Sequence, residues 1–374
     1  TQLFIAANGP SYIYNNTTNA FGQITDPDFP GAVTVCYLDG YFVFNEPDSQ
    51  KMWVTTLLDG TSIDPLEFAS TEGSPDGLLA VVSNFREVWA FGTNSVEVWY
   101  DSGATDFPLQ RIQGAFNELG CAAPYSIAKM DNGLFWLGRD RRGQGIVYRA
   151  NGYQGQRIST HAVEWQIQQY SDMSDAIAYT YQQDGHSFYV LIFPTANTTW
   201  VYDAATQAWH ERAGFVDGAF TRHRSNCQMA FNNEIVVGDF ENGNIYAFDL
   251  DVYADNGQIQ KWLRTWRALP TGQNNLKRTA HHSLQLDCET GVGLNTGQGS
   301  YPEAMLRWSD DGGHTWSNEH WSPLGRIGAY GHRTFWRRLG MTLKLRDRVY
   351  ELSMTDPVKV AIMGAELIIS PTNA

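Results

Sequence analysis

A short apolar run returns along this chain at nearly even spacing, and no other feature restricts the fold as strongly. Tyr41–Phe44 reads YFVF behind Asp39-Gly40, and Val88–Gly92 reads VWAFG. Leu134–Gly138 reads LFWLG behind Asn132-Gly133, Phe188–Phe193 reads FYVLIF behind Asp184-Gly185, and Glu234–Gly238 reads EIVVG behind Asn232-Asn233. The starts lie 47, 46, 54 and 46 residues apart. A second aromatic-rich run follows each one: Met52–Thr55, Val96–Tyr100, Ile146–Arg149, Thr199–Asp203 and Asn244–Phe248. Others precede them at Leu78–Ser83, Ser126–Met130, Ala176–Gln182 and Cys227–Phe231. The DG, NG and NN pairs between first and second runs suit hairpin turns, because Gly and Asn tolerate the positive φ these need.

A period of roughly 40–50 residues holding three or four strands is the pattern of propeller blades. One such sheet cannot cover both its faces, whereas neighbours in a series cover them for each other. Leu3–Asn8 and Ser11–Asn15 resemble the second and third strands of the unit at 235–246, which makes six units, the first without its opening strand. A later segment, such as Trp262–Ala268 or Arg278–Leu286, is expected to complete that first unit beside Leu3–Ala7. The 54-residue step contains HAVEWQIQQYSDMSD, with Val163, Ile167 and Tyr170 at a weak helical period, and predicts a short surface helix between two blades.

Beyond about residue 275 the rhythm fails. Leu276–Asp287 reads as one long strand, a Gly-rich loop occupies 291–302, and further strands are expected at Met305–Ser309, Thr334–Leu345, Arg348–Met354 and Val358–Ile369. The expected organisation is all-β: a propeller of about six blades over 1–275 and a β-sandwich-like module over 276–374. Composition agrees. Hydrophobic residues are 43% and charged ones only 18%, with 35 Gly, 13 Trp, 18 Tyr and 19 Phe, which suits short twisted strands and tight turns.

The net charge of −14 argues against whole-surface attraction to nucleic acid, since phosphate binding needs Lys and Arg. Cys36, Cys121, Cys227 and Cys288 are far apart and form no CxxC, so they read as reduced thiols of a chain folded in a reducing cytosol rather than as a metal or redox motif. No apolar run approaches the roughly 20 residues of a membrane span, and no signal peptide opens the chain. The first residue is Thr1 rather than Met, as in a processed or trimmed product.

Catalytic signatures are missing: the chain has no GxSxG, HExxH or GxxxxGK[ST]. His281-His282 sits on a predicted strand, where adjacent side chains leave on opposite faces and do not converge on one metal. No cofactor is expected. Ser309-Asp310-Asp311-Gly312-Gly313-His314-Thr315-Trp316 matches the Asp-box pattern S-x-D-x-G-x-T-W of sialidases and other propellers. Its mechanics are structural. Ser309 and Asp311 tie down a hairpin backbone with Thr315, Gly313 takes a strained φ, and Trp316 packs beneath. The arginine motif that a sialidase carries near its N-terminus is missing here.

Charge is unevenly placed. Between 326 and 348 stand seven bases (Arg326, Arg333, Arg337, Arg338, Lys344, Arg346, Arg348) and one acid, Asp347. A second knot is Arg139-Asp140-Arg141-Arg142. Arg139, Arg141, Arg142, Arg333, Arg337, Arg338, Arg346 and Arg348 are therefore candidate docking residues for an acidic partner surface, another copy of the chain included.

The run from Leu306 to Leu367, with SDDGGHTW, LGRIGAYGHR, WRRLG, RDRVYEL and DPVKV in that order, resembles the C-terminal region of phage packaged-DNA stabilisation proteins, the tail nozzles of P22-like short-tailed phages. HHSLQLDCETGVG at 281–293 fits as well. The resemblance covers about the last quarter of the chain, and the upstream repeat is compatible with it. It implies a virion tail component, assembled in the host cytoplasm as a homo-oligomeric ring, hexameric in that family. Such a ring would sit below a portal adaptor, receive the tail needle and the tail spikes or fibres, and let DNA pass without specific binding. A lumen lined with carboxylates would repel the phosphate backbone. The alternative is a carbohydrate-binding or glycoside-hydrolysing propeller of sialidase type, which predicts a deep pocket with stacked Trp or Tyr and a carboxylate pair. A general protein-interaction propeller is a second alternative.

Overall fold

In the computed structural model, residues 1–71, 73–105, 107–140, 143–268, 277–343 and 348–372 are described. Nearly all regular structure is strand, and the chain divides into two compact units. The first comprises Thr1–Ala213 and Arg222–Phe248; the second comprises Gly214–Thr221 and Asp249–Ala374.

The first unit contains six antiparallel sheets met in chain order. Sheet 1 has three strands, Gln2–Ile5, Tyr12–Asn15 and Ala20–Gln23. Sheet 2 runs Val35–Leu38, Tyr41–Asn45, Lys51–Val54 and Phe68–Ser70, and sheet 3 runs Leu78–Asn84, Glu87–Gly92, Val96–Asp101 and Leu109–Asn117. Sheet 4 is built on Gly133–Asp140 and Gly143–Asn151, and sheet 5 on Ile177–Gln183, His186–Phe193, Thr198–Asp203 and Ala208–Glu211. Sheet 6 holds Ser225–Phe231, Glu234–Asp239 and Ile245–Ala247. The five recurring apolar runs are thus the second strands of sheets 2 to 6. Their turns take the predicted backbone: Asp39, Asn132, Asp184 and Asn232 all have positive φ.

Packing follows the same order. Phe4 and Ile13 of sheet 1 meet Phe44 and Trp53 of sheet 2 in one cluster. Val43 and Val54 meet Val81 and Val88 of sheet 3, and Trp89 and Phe91 meet Leu134 and Trp136 of sheet 4. Phe135 and Leu137 meet Tyr189 and Leu191 of sheet 5, whose opposite side, Tyr179 and Val190, receives Ile235 of sheet 6. Burying a large apolar side chain contributes about 1.5–3 kcal/mol, so these seams carry the unit. Polar groups staple them. Asn45 Nδ2 donates to the carbonyls of Leu78 and Leu79, both at 3.1 Å, and Tyr189 OH donates to Ser126 O at 2.7 Å. Gly120 is needed where its backbone crosses that of Thr93 and Asn94: a Cβ there would lie 2.3 Å from Asn94 N.

The helix appears as expected between sheets 4 and 5, over His161–Gln168, with Thr160 Oγ1 accepting from Val163 N at its start. Val163 and Ile167 enter the seam between the two sheets. Glu164 is buried too, accepting from Arg157 Nε and Ser159 Oγ, both at 2.6 Å. Among the described residues no helix is long and apolar enough to cross a membrane.

The second unit has two principal sheets. One orders Trp262–Ala268, Arg348–Met354, Glu303–Ser309 and His320–Pro323; the other orders Thr334–Met341, Thr279–Cys288 and Ile362–Pro371. Leu284, Leu286 and Trp336 of the second sheet face Leu306, Tyr350 and Leu352 of the first. The expected division at 275/276 lies outside the described residues. The expected completion of sheet 1 is not what the strands do. Trp262–Ala268 pairs with Arg348–Met354, and Thr279–Cys288 has both edges occupied by Thr334–Met341 and Ile362–Pro371. Alternating aromatics in WLRTWRA suit either unit, and only the pairing decides.

Candidate functional site

The Asp-box hairpin follows Glu303–Ser309 in the second unit and folds on its own hydrogen bonds. Ser309 Oγ donates to Asp311 Oδ1 at 2.6 Å and accepts from Gly313 N at 2.8 Å. Asp311 Oδ1 also accepts from His314 N and Thr315 N at 3.0 and 2.9 Å, while Oδ2 accepts from Thr315 Oγ1 at 2.6 Å. The Ser309 hydroxyl and then Thr315 hold the Asp311 carboxyl well below the usual carboxylate range. Gly313 has φ +102°, and Arg307 lies over the Trp316 ring at 4.8 Å. Asp311 is thus spent on its own turn and is not aimed at a substrate.

The box's other acid does structural work that the sequence did not disclose. Asp310 receives Arg348 through Nε at 2.7 Å and Nη2 at 2.8 Å. Arg348 also donates to Leu339 O and Met341 O, and its side chain is 1% exposed. Arg348 is therefore not a docking residue: it is buried, and each of its three side-chain nitrogens donates inside the unit. The mistake has a physical origin, since a basic run reads as surface unless its one buried member is given a partner. Nearby, His281 Nδ1 meets Tyr350 OH at 2.8 Å, and burial followed by Arg348 lowers its pKa to about 4. His282 points the other way, to Ser370 Oγ, so the pair does not converge. Among the described residues no group of three or more metal-ligating side chains is assembled.

The remaining candidate arginines separate. Arg139 is exposed in sheet 4, whereas Arg333, Arg337 and Arg338 are exposed on and beside Thr334–Met341 in the second unit. Arg141, Arg142 and Arg346 lie outside the described residues. Arg333 and Arg337 flank the Phe335 ring at 4.8 and 5.1 Å, and Arg333 Nη2 donates to Gln285 Oε1 at 2.7 Å.

The first unit has an open groove of about 710 Å³ along sheets 4 to 6, lined by Lys129, Thr180, Tyr181, Gln182, Gln228 and Phe231 among others. Glu234 is the one acid among its described lining residues. Two-carboxylate glycoside hydrolysis needs a facing pair, and the groove does not offer one.

Two family models match the chain in sequence. The model described as bacteriophage P22 Gp10, beta-propeller, covers residues 1–253, and that described as bacteriophage P22 Gp10, beta-sandwich, covers 261–370. The chain belongs to the P22 Gp10 family. It is accordingly a structural component of a phage virion, of the tail, with a propeller followed by a sandwich. Gp10 membership was legible in the C-terminal motifs, and the propeller match extends it across the repeat. No relative is found among curated proteins. Among solved structures, the N-terminal domain of Nup159 is 7% identical, covering 64% of this chain and 70% of its own, at a TM-score of 0.39. The designed protein Ika8 is 13% identical over 90% and 93%, at 0.38. An exo-beta-1,3-galactanase from Phanerochaete chrysosporium is 9% identical over 98% and 100%, at 0.34. Likeness at these scores carries no argument.

Proposed function

We propose that this tail protein acts as the nozzle of a short-tailed phage. It assembles as a ring, a hexamer, on the adaptor below the portal; it retains the packaged genome and forms part of the channel through which DNA leaves. The tail needle and the spikes or fibres attach to it, and assembly takes place in the host cytoplasm. The role is mechanical rather than catalytic. The observation that carries this reading is the match of both units, in order, to the two Gp10 domains. The acidity of the chain outside 326–348 suits a conduit from which a polyanion must not be slowed by adhesion.

The test is the mass of native particles formed with and without a portal–adaptor complex, with DNA retention of filled heads as a second readout. Rings of six copies on the adaptor, and heads that keep their DNA only when the protein is added, are the expected result. A chain that stays monomeric beside the adaptor and leaves DNA leakage unchanged would overturn the reading.

A further inference from the structure

Two sets of guanidinium groups contrast among the described residues. Arg86, Arg111, Arg157, Arg224, Arg307 and Arg348 each meet a carboxylate. Arg326, Arg333, Arg337 and Arg338 are exposed, and among the described residues none of them has an acidic partner. Rings hold three of them open instead. Arg326 lies over Tyr301 at 3.5 Å, and Arg333 and Arg337 stand on either side of Phe335. Thr334 and Trp336 are buried, so in an alternating strand 333, 335 and 337 leave on the outer face. A stacked guanidinium is preorganised to present its N–H edge to an oxyanion, with one N–H of Arg333 given to Gln285 Oε1.

The first unit carries the opposite pattern. Residues 1–50 contain five acids and no Lys or Arg. Asp26 Oδ2 accepts from Ile63 N at 3.1 Å, which brings Asp26 and Asp28 to the loop bearing Asp59, Asp64 and Glu67. No Lys or Arg pairs with any of these five among the described residues. Burial first, and then Asp64, raises the Glu67 pKa, as like charges held together require. Leu66, between them in sequence, is 81% exposed.

We propose that these two surfaces meet between copies: the face of Arg333, Phe335 and Arg337 docks on the acidic knot of Asp64, Leu66 and Glu67 of the next copy. The inference rests on the ring reading above and gives it a contact. Charge complementarity selects the occupant, because the acids of this chain lie almost wholly outside the arginine segment. A contact between two different patches can repeat head-to-tail, which gives a ring where the rotation closes.

Charge exchange tests it on the full chain with its adaptor. R333E/R337E and D64K/E67K are prepared separately, checked for folding by circular dichroism, and weighed by native mass spectrometry alone and mixed. Neither is expected to form rings alone, while an equimolar mixture restores rings of strictly equal composition, because each altered patch then finds its complement. If both variants form rings alone, the contact is wrong and the ring reading stands. If the wild type forms none, the ring reading falls and the contact with it. Rescue only when all four substitutions share one chain places the contact within a copy and overturns the proposal. Rings that persist in R333E/R337E with DNA retention lost make the partner nucleic acid, which overturns it equally.

Discussion

The two units are both antiparallel β, yet they hold together by different means. In the propeller, large apolar side chains such as Trp136 and Phe91 fill seams between successive sheets, with polar staples across them and ion pairs such as Arg157–Glu164, whose guanidinium stays 41% exposed where that of Arg348 in the sandwich is 1%. In the sandwich, a charged pair and a histidine–tyrosine bond sit among the apolar residues: Arg348 on Asp310, and His281 on Tyr350. Apolar seams tolerate few substitutions but ask nothing of a partner residue. A buried ion pair binds two positions to each other, so its failure depends on what is left behind. That difference can be broken or sharpened by experiment.

The largest effects are expected in the two cores. Trp136→Ala removes a fully buried ring and should cost about 3–5 kcal/mol, with no second substitution that restores it. Arg348→Met strands Asp310 and should cost a similar ~3–5 kcal/mol, but adding Asp310→Leu should recover most of it, because the unpaired charge then disappears. Urea unfolding of the three variants checks both; equal failure of the two sandwich variants would erase the distinction drawn above.

Acid should act on both units through neutral histidines. Burial, then Arg212 and Arg224, lowers the His223 pKa to about 3, and His281 is lowered to about 4. A histidine with an ordinary pKa of about 6.5 when unfolded takes up its proton there before it does so in the folded chain. The stability it contributes is therefore complete above about pH 6.5 and is lost as pH falls, toward 4 for His281 and toward 3 for His223. Thermal unfolding followed from pH 8 to 4 should show a falling Tm below 6.5. Substituting His281→Gln should flatten the part of that fall belonging to the sandwich.

The smallest effect is local. Gly313 has a φ that L residues rarely adopt, so Gly313→Ala should cost about 1–3 kcal/mol through the hairpin alone. The same unfolding assay, together with exchange rates of the His314 and Thr315 amides, would register it. A loss as large as that of Arg348→Met would mean that the hairpin supports more than itself.

The parts legible in the sequence are those whose physics is local. Second strands stood out because a Gly or Asn turn and an apolar run are neighbours in the chain, and the Asp-box could be read down to its individual donors. Fourth strands such as Gln154–Arg157 and Leu109–Asn117 escaped because their residues are polar and largely exposed, so they lack an apolar period. Trp262–Ala268 was credited to the wrong unit because strand pairing is a long-range choice. Arg348 was misread for the same reason: its partner lies 38 residues away. That Arg333 and Arg337 meet no carboxylate among the described residues is likewise invisible in the sequence.

The order of the seams bears on how such a chain is made. Each described cluster of the first unit joins a sheet to the one that follows it in the chain. A ribosome delivers the sheets in that order, so each newly emerged sheet finds its template already standing and leaves its far side for the next. Synthesis then works like bricklaying, where an interrupted course leaves a sound wall with one unfinished edge.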